Sequence, residues 1–239
     1  MALKSLYVEP AQPASEVHWG ALECHDVFKI FRSGPVETVA LRGLDLRIEP
    51  GELVAVLGPS GCGKSTLMTL AAGLDQPSAG ELRVWGRSLS RLDEAELAAY
   101  RARDLAIVFQ SDNLWPALSA QENVAISLRM AGHDAPEEAA AQSLGAFGLG
   151  QRGSHRAAAL SGGEQQRVAI AAAAARGARL VLADEPTGEL DQRNEEIVLD
   201  ALQRLRADYE STVVVVTHSE RVAATAERVI ELRDGRVAL

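Results

Sequence analysis

A lysine and two hydroxyl residues follow a glycine-rich turn near residue 60, a combination that can bind phosphate and a metal ion. The segment, residues 58–66, reads Gly58, Pro59, Ser60, Gly61, Cys62, Gly63, Lys64, Ser65 and Thr66. Its glycines allow successive backbone N–H groups to turn toward one phosphate, where Cβ atoms would obstruct the approach. Lys64 adds a positive charge for the β- and γ-phosphates, and the hydroxyl of Ser65 can ligate Mg²⁺. The spacing predicts a site for a nucleoside triphosphate.

The flanks of this segment supply the elements that must position it. An apolar run at 53–57 predicts a strand before the turn, and residues 67–74 are compatible with a helix after it. A helix that begins near Lys64 directs the positive end of its dipole at the same anion. The alternative is a chance Gly/Ser-rich turn between a strand and a helix. The complete spacing with the correct flanks favours the phosphate site.

Two adjacent carboxylates, Asp184 and Glu185, follow the apolar run at 180–183. A buried strand would deliver them to the carboxyl edge of a sheet, where ligands of open α/β folds bind. Asp184 suits the Mg²⁺ shell, as in other P-loop NTPases, and Glu185 is then placed to act as general base toward a water molecule. Alone, the pattern could equally be a strand that ends in a charged turn. The phosphate-binding segment upstream favours the catalytic interpretation.

A serine and two glycines open a further helix at residues 160–167. Ser161 and Glu164 have the spacing of a capping box, so one interpretation is simply a well-capped helix. A capping box requires neither Gly162 nor Gly163. Exposed backbone N–H groups at a helix N-terminus form an anion site, here with a serine hydroxyl beside it. The segment is therefore a second candidate for phosphate contact.

Composition bounds the possible functions. The 239 residues fit one larger α/β domain, or a domain with a small subdomain, and the net charge of −9 argues against nucleic acid as the default partner. No apolar run approaches the length of about 18 residues that a spanning helix needs, and the N-terminus lacks an apolar signal region. We therefore expect a cytoplasmic protein that reaches membranes through a partner. The two cysteines, Cys24 and Cys62, predict no disulfide framework.

The order of the apolar segments predicts a mostly parallel α/β core that carries two smaller parts. Unbroken apolar runs predict buried parallel strands at 53–57, 105–109, 180–183, 212–216 and 229–232. Shorter or alternating runs predict an antiparallel sheet from strands at 21–24, 38–41, 44–48 and 81–85. Helices are predicted at 92–103, at 119–147 with breaks, from 162 to about 175, and at 192–209. We expect residues 1–18 to form a flexible arm.

The segment from Leu160 to Gln165 resembles the signature motif of the ATP-binding cassette (ABC) ATPases. The resemblance extends over residues 20–239, and the wordings LSGGEQQRVAIA and LADEPTGELD are similar to the lipoprotein-release, macrolide-export and cell-division-associated group. It implies one ABC ATPase domain over 19–239 with a P-loop NTPase fold. Within it, 19–110 and 156–239 would form a RecA-like core with an antiparallel β subdomain, and 111–155 an inserted helical subdomain. ATP and Mg²⁺ are the implied ligands.

The resemblance also implies roles for residues that spacing alone does not identify. Phe31 matches the aromatic residue that stacks on adenine, although it could also be a core aromatic at a strand end. Gln110 matches the glutamine that contacts Mg²⁺ and the attacking water, and Asp191 matches the loop that communicates across the dimer. His218 matches the switch histidine that contacts the γ-phosphate. Together with Lys64 and Glu185, we expect Gln110 and His218 to be catalytic.

In the resembled family, two cassettes pack head to tail, and each ATP lies between one phosphate-binding loop and the signature of the other copy. Residues 161–163 would then complete the site of a second copy of this chain. Conformational change would pass to separate transmembrane permease subunits through the helical subdomain, with Leu114, Trp115 and Leu118 as candidate docking residues. Ordinary packing of these three side chains is the alternative. The protein would lie peripherally on the inner face of the cell membrane.

Two departures from the family pattern and three alternative functions stay open. Ala172 replaces a usual arginine and Ala157 a frequent proline, so we expect looser packing near the signature and slower hydrolysis. An ATP-gated module could act through a membrane partner on cell-wall enzymes without transport, and only the partner separates that function from export. A soluble role in translation or repair is disfavoured because the chain has one cassette and no heptads. A P-loop kinase would not need the signature.

Overall fold

A computed structural model describes residues 18–34 and 36–238. The expected flexible arm, residues 1–18, lies outside them except for His18, whose carbonyl accepts a hydrogen bond from Arg47 Nη2 at 2.8 Å. The strands are β1 Leu22–Ser33, β2 Val36–Ile48, β3 Leu53–Leu57, β4 Ala79–Val84, β5 Arg87–Ser88, β6 Leu105–Val108, β7 Leu180–Asp184, β8 Thr212–Thr217, β9 Arg228–Arg233 and β10 Arg236–Val237. The helices are α1 Lys64–Ala71, α2 Glu94–Arg103, α3 Ala120–Ala131, α4 Pro136–Ala146, α5 Gly162–Ala175, α6 Gln192–Tyr209 and α7 Glu220–Ala223.

The central sheet has the order β10-β9-β3-β8-β7-β6 within the described residues. All its pairings are parallel except that of β10 with β9, which confirms the predicted mostly parallel core. On β8, Val213 and Val215 pack into one hydrophobic cluster and Val214 and Val216 into another. Because successive side chains of a strand point to opposite faces, the sheet is covered on both sides. This burial explains the unbroken apolar runs of the sequence.

A second sheet, with the order β2-β1-β4-β5, is antiparallel and supplies part of one of these clusters. It confirms the predicted antiparallel β subdomain. The separate strands predicted at 38–41 and 44–48 were wrong, because one strand, β2, runs through both. The pairing with β1 shifts register between Val27–Leu44 and Phe28–Arg42, and Gly43 lies in the left-handed region at φ +74°. Gly43 is thus the extra residue of a bulge and does not end the strand.

The helices α3 and α4 are inserted between β6 and α5 and pack against α5. The chain enters and leaves this insertion side by side, because Ala120 N donates to His155 O at 2.9 Å and Ala157 N to Leu118 O at 2.8 Å. Helix α3 begins with a capping box formed by Ser119 and Glu122, and α4 begins with proline in its first turn. In the described part of the chain, no helix combines the length and the apolar character needed to cross a bilayer.

Candidate functional site

The carboxyl ends of β3, β7 and β8 meet the N-terminus of α1 around a cavity of about 440 Å³. This edge of a parallel sheet is where the topology of an open α/β fold places ligands. Most residues of the phosphate-binding segment lie here with both carboxylates, Gln110 and His218. The lining residues are Ala40, Ser60, Gly61, Gly63, Lys64, Ser65, Thr66, Gln110, Asp184, Glu185 and His218.

The backbone of the phosphate-binding segment requires its glycines. Gly63 is the N-cap of α1 at φ +110°, and a Cβ there would lie 2.7 Å from Ala40 O. A Cβ on Gly58 would lie 2.3 Å from Leu232 O and 2.7 Å from the Sγ atom of Cys62. With no side-chain cap and no acidic residue in its first turn, the N-terminus of α1 keeps its backbone N–H groups for a ligand.

The ammonium group of Lys64 is held at the base of this loop. Its Nζ atom donates to Gly58 O at 2.7 Å and to Pro59 O at 2.9 Å, and the side chain is buried. Cys62 is buried and free, with Sγ 4.0 Å from the same ammonium. The loop carbonyls therefore hold the charge beside the glycines that curve around the cavity.

Glu185 directly follows β7, and its carboxylate is fixed by the end of β8. Thr217 Oγ1 donates to Oε2 at 2.9 Å, and the backbone N–H of His218 donates to Oε1 at 2.9 Å. The His218 Nδ1 atom lies 2.7 Å from Oε1. Glu185 has φ +44°, an uncommon conformation for a residue with a side chain. Glu185 and His218, two of the four residues predicted to be catalytic, thus form one hydrogen-bonded pair that faces the cavity.

Asp184, the last residue of β7, is half-buried on the same wall. Burial and the neighbouring Glu185 carboxylate raise the pKa of Asp184, and Lys64 partly opposes the shift. Such a carboxylate favours a bound cation, because the cation would offset the repulsion between the charges of Asp184 and Glu185. Asp184, the hydroxyl of Ser65 and the amide oxygen of Gln110 all line the cavity and are the oxygen donors that Mg²⁺ prefers. The residues present therefore fit the expected metal ion.

The other predicted nucleotide contacts lie elsewhere on the chain. Within the described residues, the predicted contacts that are not among the lining residues are Gly58, Pro59 and Cys62 of the phosphate-binding segment, together with Phe31, Asp191 and residues 161–163. Phe31 is exposed on β1 opposite Thr38, two residues before the cavity residue Ala40 on β2. The hairpin that carries Phe31 therefore adjoins the cavity.

The signature residues and Asp191 both occupy helix N-termini. Ser161 caps α5, with Oγ accepting from Glu164 N at 3.3 Å while Glu164 Oε2 accepts from Ser161 N at 2.9 Å. Asp191 caps α6 and accepts from the N–H and the side-chain amide of Asn194. Asn194 packs against Gly163, where a Cβ would lie 2.8 Å from Asn194 Oδ1. The two caps are thus neighbours, and Ser161 is exposed.

Two residues that the sequence reasoning missed belong to the site. Ala40 lines the cavity from β2, and Thr217 holds the Glu185 carboxylate. Thr217 had a usable signal, because parallel pairing of Leu180–Asp184 with the run at 212–216 aligns Glu185 with the residue after that run. Ala40 had none, because its place depends on how the antiparallel sheet packs on the core.

A groove of about 370 Å³ lies between the inserted helices and the core. Of the predicted docking residues, Trp115 lines it and is exposed, Leu114 lines it but is half-buried, and Leu118 is half-buried outside it. Ala172, where the resembled family carries arginine, also lines the groove. Its small side chain leaves this wall open beside the half-buried Arg176, whose burial lowers its pKa.

Comparison with known proteins places these features in a family. The family model described as "ABC transporter" matches residues 41–188. The chain is 45% identical over 218 residues to the macrolide export ATP-binding/permease protein MacB of Azoarcus sp. strain BH72, and 49% identical over 218 residues to MacB of Rhodopseudomonas palustris strain HaA2. These matches cover 90% of this chain but 33% of each relative, so the chain spans about a third of their length.

Solved structures agree in fold over almost the whole chain. A dimeric post-hydrolysis state of the ATP-binding cassette MJ0796, bound to ADP and Pi, superposes with a TM-score of 0.82 at 37% identity. That match covers 91% of this chain and 97% of the cassette. The cassette cbiO1 from Clostridium perfringens superposes with a TM-score of 0.81 at 25% identity, covering 92% and 87% of the two chains.

Proposed function

The chain belongs to the ABC transporter family and is an ATPase, and from this premise we propose that two copies close around two ATP molecules to drive a membrane permease of exporter type. The separation of the two halves of the site carries this proposal. Most of the phosphate-binding segment and Glu185 line one cavity, whereas residues 161–163 at the start of α5 are not among its lining residues, and Ser161 and Gly162 are exposed. A second copy in head-to-tail orientation would bring the two halves together. The dimeric form of the MJ0796 cassette supports this arrangement.

Within each site, we assign the phosphate and metal contacts to residues that line the cavity and the adenine contact to Phe31, whose hairpin adjoins it. Lys64 and the N–H groups at the start of α1 would hold the β- and γ-phosphates, and Phe31 would stack on the adenine. Ser65, Gln110 and Asp184 would hold Mg²⁺, which neutralises phosphate charge when bound. A second copy would add the Ser161 hydroxyl, whose oxygen accepts from the backbone N–H of Glu164, and Ser161 is exposed at the start of α5.

Glu185 is the proposed general base toward the attacking water. In the described conformation, its carboxylate accepts hydrogen bonds from Thr217 and from the backbone of His218, with the imidazole at 2.7 Å. If the His218 imidazole moved from Glu185 to the γ-phosphate, the Oε1 atom of Glu185 could accept from water. Thr217 would keep the Oε2 atom in place. The Glu185 carboxylate would then be available to the attacking water only when the γ-phosphate is present. The bound nucleotide thus selects the active arrangement.

The proposed permease contact lies at the groove between the inserted helices and the core. Trp115 and Met130 are exposed there, at 52% and 71%, and both line the groove. Large exposed apolar side chains around a concavity favour a protein contact. The relatives named MacB combine ATP-binding and permease functions in one protein, and this chain matches a third of each. Export is therefore the function that the relatives favour.

Hydrolysis and pairing are tested together with the variant Glu185→Gln. We expect hydrolysis to fall by about 10²–10⁴-fold, the contribution typical of a general base. Light scattering should detect a dimer of this variant in ATP and Mg²⁺ but a monomer in ADP, because ATP closes the pair and cannot be cleaved. A monomer under both conditions, or unchanged hydrolysis, would contradict the proposal.

The permease contact is tested by affinity capture from detergent-solubilised membranes of the native host. Glu185→Gln in ATP and Mg²⁺ serves as bait, compared with the same bait carrying Trp115→Glu. A matched control carries Ile197→Glu, which alters an exposed apolar side chain of α6 outside the groove. A polytopic membrane protein should be retained by the parent and the control and lost with Trp115→Glu. Recovery of ribosomal or repair proteins instead would refute the permease function.

A further inference from the structure

The amide of Gln166 on α5 is buried between the signature helix and the loop that carries Gln110. Its Nε2 atom donates to Phe109 O at 2.9 Å and to Gln110 O at 2.6 Å. Its Oε1 atom accepts from Asn113 Nδ2 at 3.1 Å. The side chain is 4% exposed, so a lost partner would leave buried polar atoms unpaired at considerable cost. Both donors and the acceptor of this amide are used, which fixes the loop in one position.

Asn113 closes the same loop on itself. Its Oδ1 atom accepts from Phe109 N at 2.8 Å, and its Nδ2 atom donates to Phe109 O at 2.8 Å as well as to Gln166. The turn from 109 to 113 is therefore closed by its own hydrogen bonds. The side chain of Gln166 bonds this turn to α5. Gln110, inside this turn, lines the nucleotide cavity.

The other end of the connection is the N-terminus of α5. Gln166 lies about one helical turn after Gly162 and Gly163, so α5 transmits a displacement of its side chain to them as a rigid element. Gln166 thus connects Gln110, which lines the nucleotide cavity of its own chain, to residues 161–163, which would contact ATP held by a second copy. A buried, fully paired amide is suited to this, since alternative positions of the loop would break its hydrogen bonds.

We propose that Gln166 is a positioning residue that couples the nucleotide cavity to the signature segment of the same chain. The proposal rests on the proposed function insofar as residues 161–163 act on ATP held by a second copy. When ATP engages Gln110, Gln166 carries the displacement into α5 and presents Ser161 and the two glycines for pairing. Occupancy of one site thereby promotes closure of the other. The result is positive cooperativity in ATP, which hydrolysis in a single isolated site would not produce.

The test uses Gln166→Glu and Gln166→Met, each in the wild-type and in the Glu185→Gln background. Glu preserves shape but directs a carboxylate at the two loop carbonyls, and Met removes the donors without adding charge. The matched control is Gln203→Glu, because the exposed Gln203 amide donates to Thr225 O at 3.4 Å outside the proposed site. Thermal unfolding of every variant verifies that the chain folds.

Both variants should bind ATP as single copies within about twofold of the parent, since no lining residue changes. ATP-driven dimerisation in the Glu185→Gln background should weaken by about tenfold or more, a typical coupling magnitude. The Hill coefficient of hydrolysis should fall toward 1, and Gln203→Glu should match the parent. Unchanged dimerisation and cooperativity in a folded variant would overturn the proposal. An equal loss of single-copy ATP affinity would also overturn it, because Gln166 would then only support the local site.

Amide hydrogen exchange separates this inference from the proposed function. In the parent, ATP should alter exchange in the segment 160–168 of a single copy, and both Gln166 variants should abolish that response. If the Glu185→Gln parent fails to pair but the response is present and depends on Gln166, the proposed pairing fails and the coupling stands. If the parent gives no response to ATP in this segment, the coupling itself is refuted.

Discussion

The helices α1 and α5 both begin with glycines and a hydroxyl residue nearby, yet their N-termini are built in opposite ways. Gly63 caps α1 from the left-handed region, without a side-chain hydrogen bond and without an acidic residue in the first turn. Ser161 caps α5 within a complete capping box, and Glu164 is its acidic residue. The first end keeps its N–H groups for an external anion. The second satisfies part of them internally, so fewer of its N–H groups stay free for an external anion.

The carboxylates beside the two ends differ in the same sense. Burial and Glu185 raise the pKa of Asp184 near α1. The backbone N–H of Ser161 lowers the pKa of Glu164 on α5, with Arg152 Nε at 2.9 Å adding to the effect. One carboxylate is costly to ionise until a cation arrives, and the other is stabilised as an anion by the fold itself. The start of α1 thus keeps its backbone N–H groups for a ligand, and the Asp184 carboxylate beside it stays costly to ionise. The capping box stabilises α5 and leaves fewer backbone N–H groups free.

The largest expected effect comes from adding one methyl group at the start of α1. Gly63→Ala forces a residue with a side chain to φ +110° and brings its Cβ to 2.7 Å from Ala40 O. We expect the free energy of unfolding to fall by about 1–3 kcal/mol and single-copy ATP affinity to fall by about tenfold or more. Urea denaturation and nucleotide titration measure the two effects.

Gly162→Ala is the matched change on α5. Its Cβ would meet only Leu190 Cδ2, at 3.2 Å, and this flexible side chain can move. We expect the free energy of unfolding to change by less than about 0.5 kcal/mol and the ATP affinity of a single copy to stay constant. The ATP-driven pairing of two copies should weaken. If both glycine variants lost ATP affinity equally, the two helix starts would not differ in the proposed way.

The contrast also explains which parts of the molecule the sequence could predict. The strand at 53–57, the turn after it and the helix at α1 are contiguous, so backbone chemistry and periodicity predict them together. The capping box at Ser161 is equally local, spanning four residues. Parallel strands such as β8 are buried on both faces, and their apolar runs identify them directly.

Side chains held by distant elements could not be predicted in this way. The hydrogen bonds of Gln166 to Phe109 and Gln110 join residues more than fifty positions apart, and no local pattern indicates them. Separate strands were predicted at 38–41 and 44–48 because the bulge at Gly43, which lets one strand run through both, depends on the register with β1. Phe31 is recognisable only by resemblance, because its neighbourhood is set by how a hairpin packs on the core.

The next prediction concerns the capping box of α5. Glu164→Ala should lower the free energy of unfolding by about 1 kcal/mol, since it removes a backbone cap and the exposed pair with Arg152. Because the folded pKa of Glu164 is lowered, its stabilisation is present above its ordinary value of 4.5 and is lost as pH falls below it. Glu164→Gln is the control, since glutamine also completes a capping box. Equal loss in both variants would mean that the charge, and not the cap, stabilises α5.

The last change, at Asp184, is expected to stabilise the protein. Asp184→Asn should raise the melting temperature of the nucleotide-free protein at pH 7, because the wild-type must hold a carboxylate whose pKa the fold raises. For such a group, the destabilisation is fully present above the folded pKa and disappears as pH falls toward the ordinary value of 3.8. Since Asp184 is half-buried, solvent screens part of this cost. We expect at most about 1 kcal/mol, or roughly 2–4 °C.

Asp200→Asn provides the control for Asp184→Asn, because Asp200 is exposed on α6. Melting curves of the three proteins between pH 7 and pH 4 should converge for wild-type and Asp184→Asn as the pH falls, whereas Asp200→Asn should stay close to wild-type throughout. Addition of Mg²⁺ with a non-hydrolysable ATP analogue should reverse the order at pH 7, since the wild-type carboxylate then gains its cation. A destabilised Asp184→Asn without ligand would mean that Asp184 stabilises the fold, and the contrast between α1 and α5 would fail.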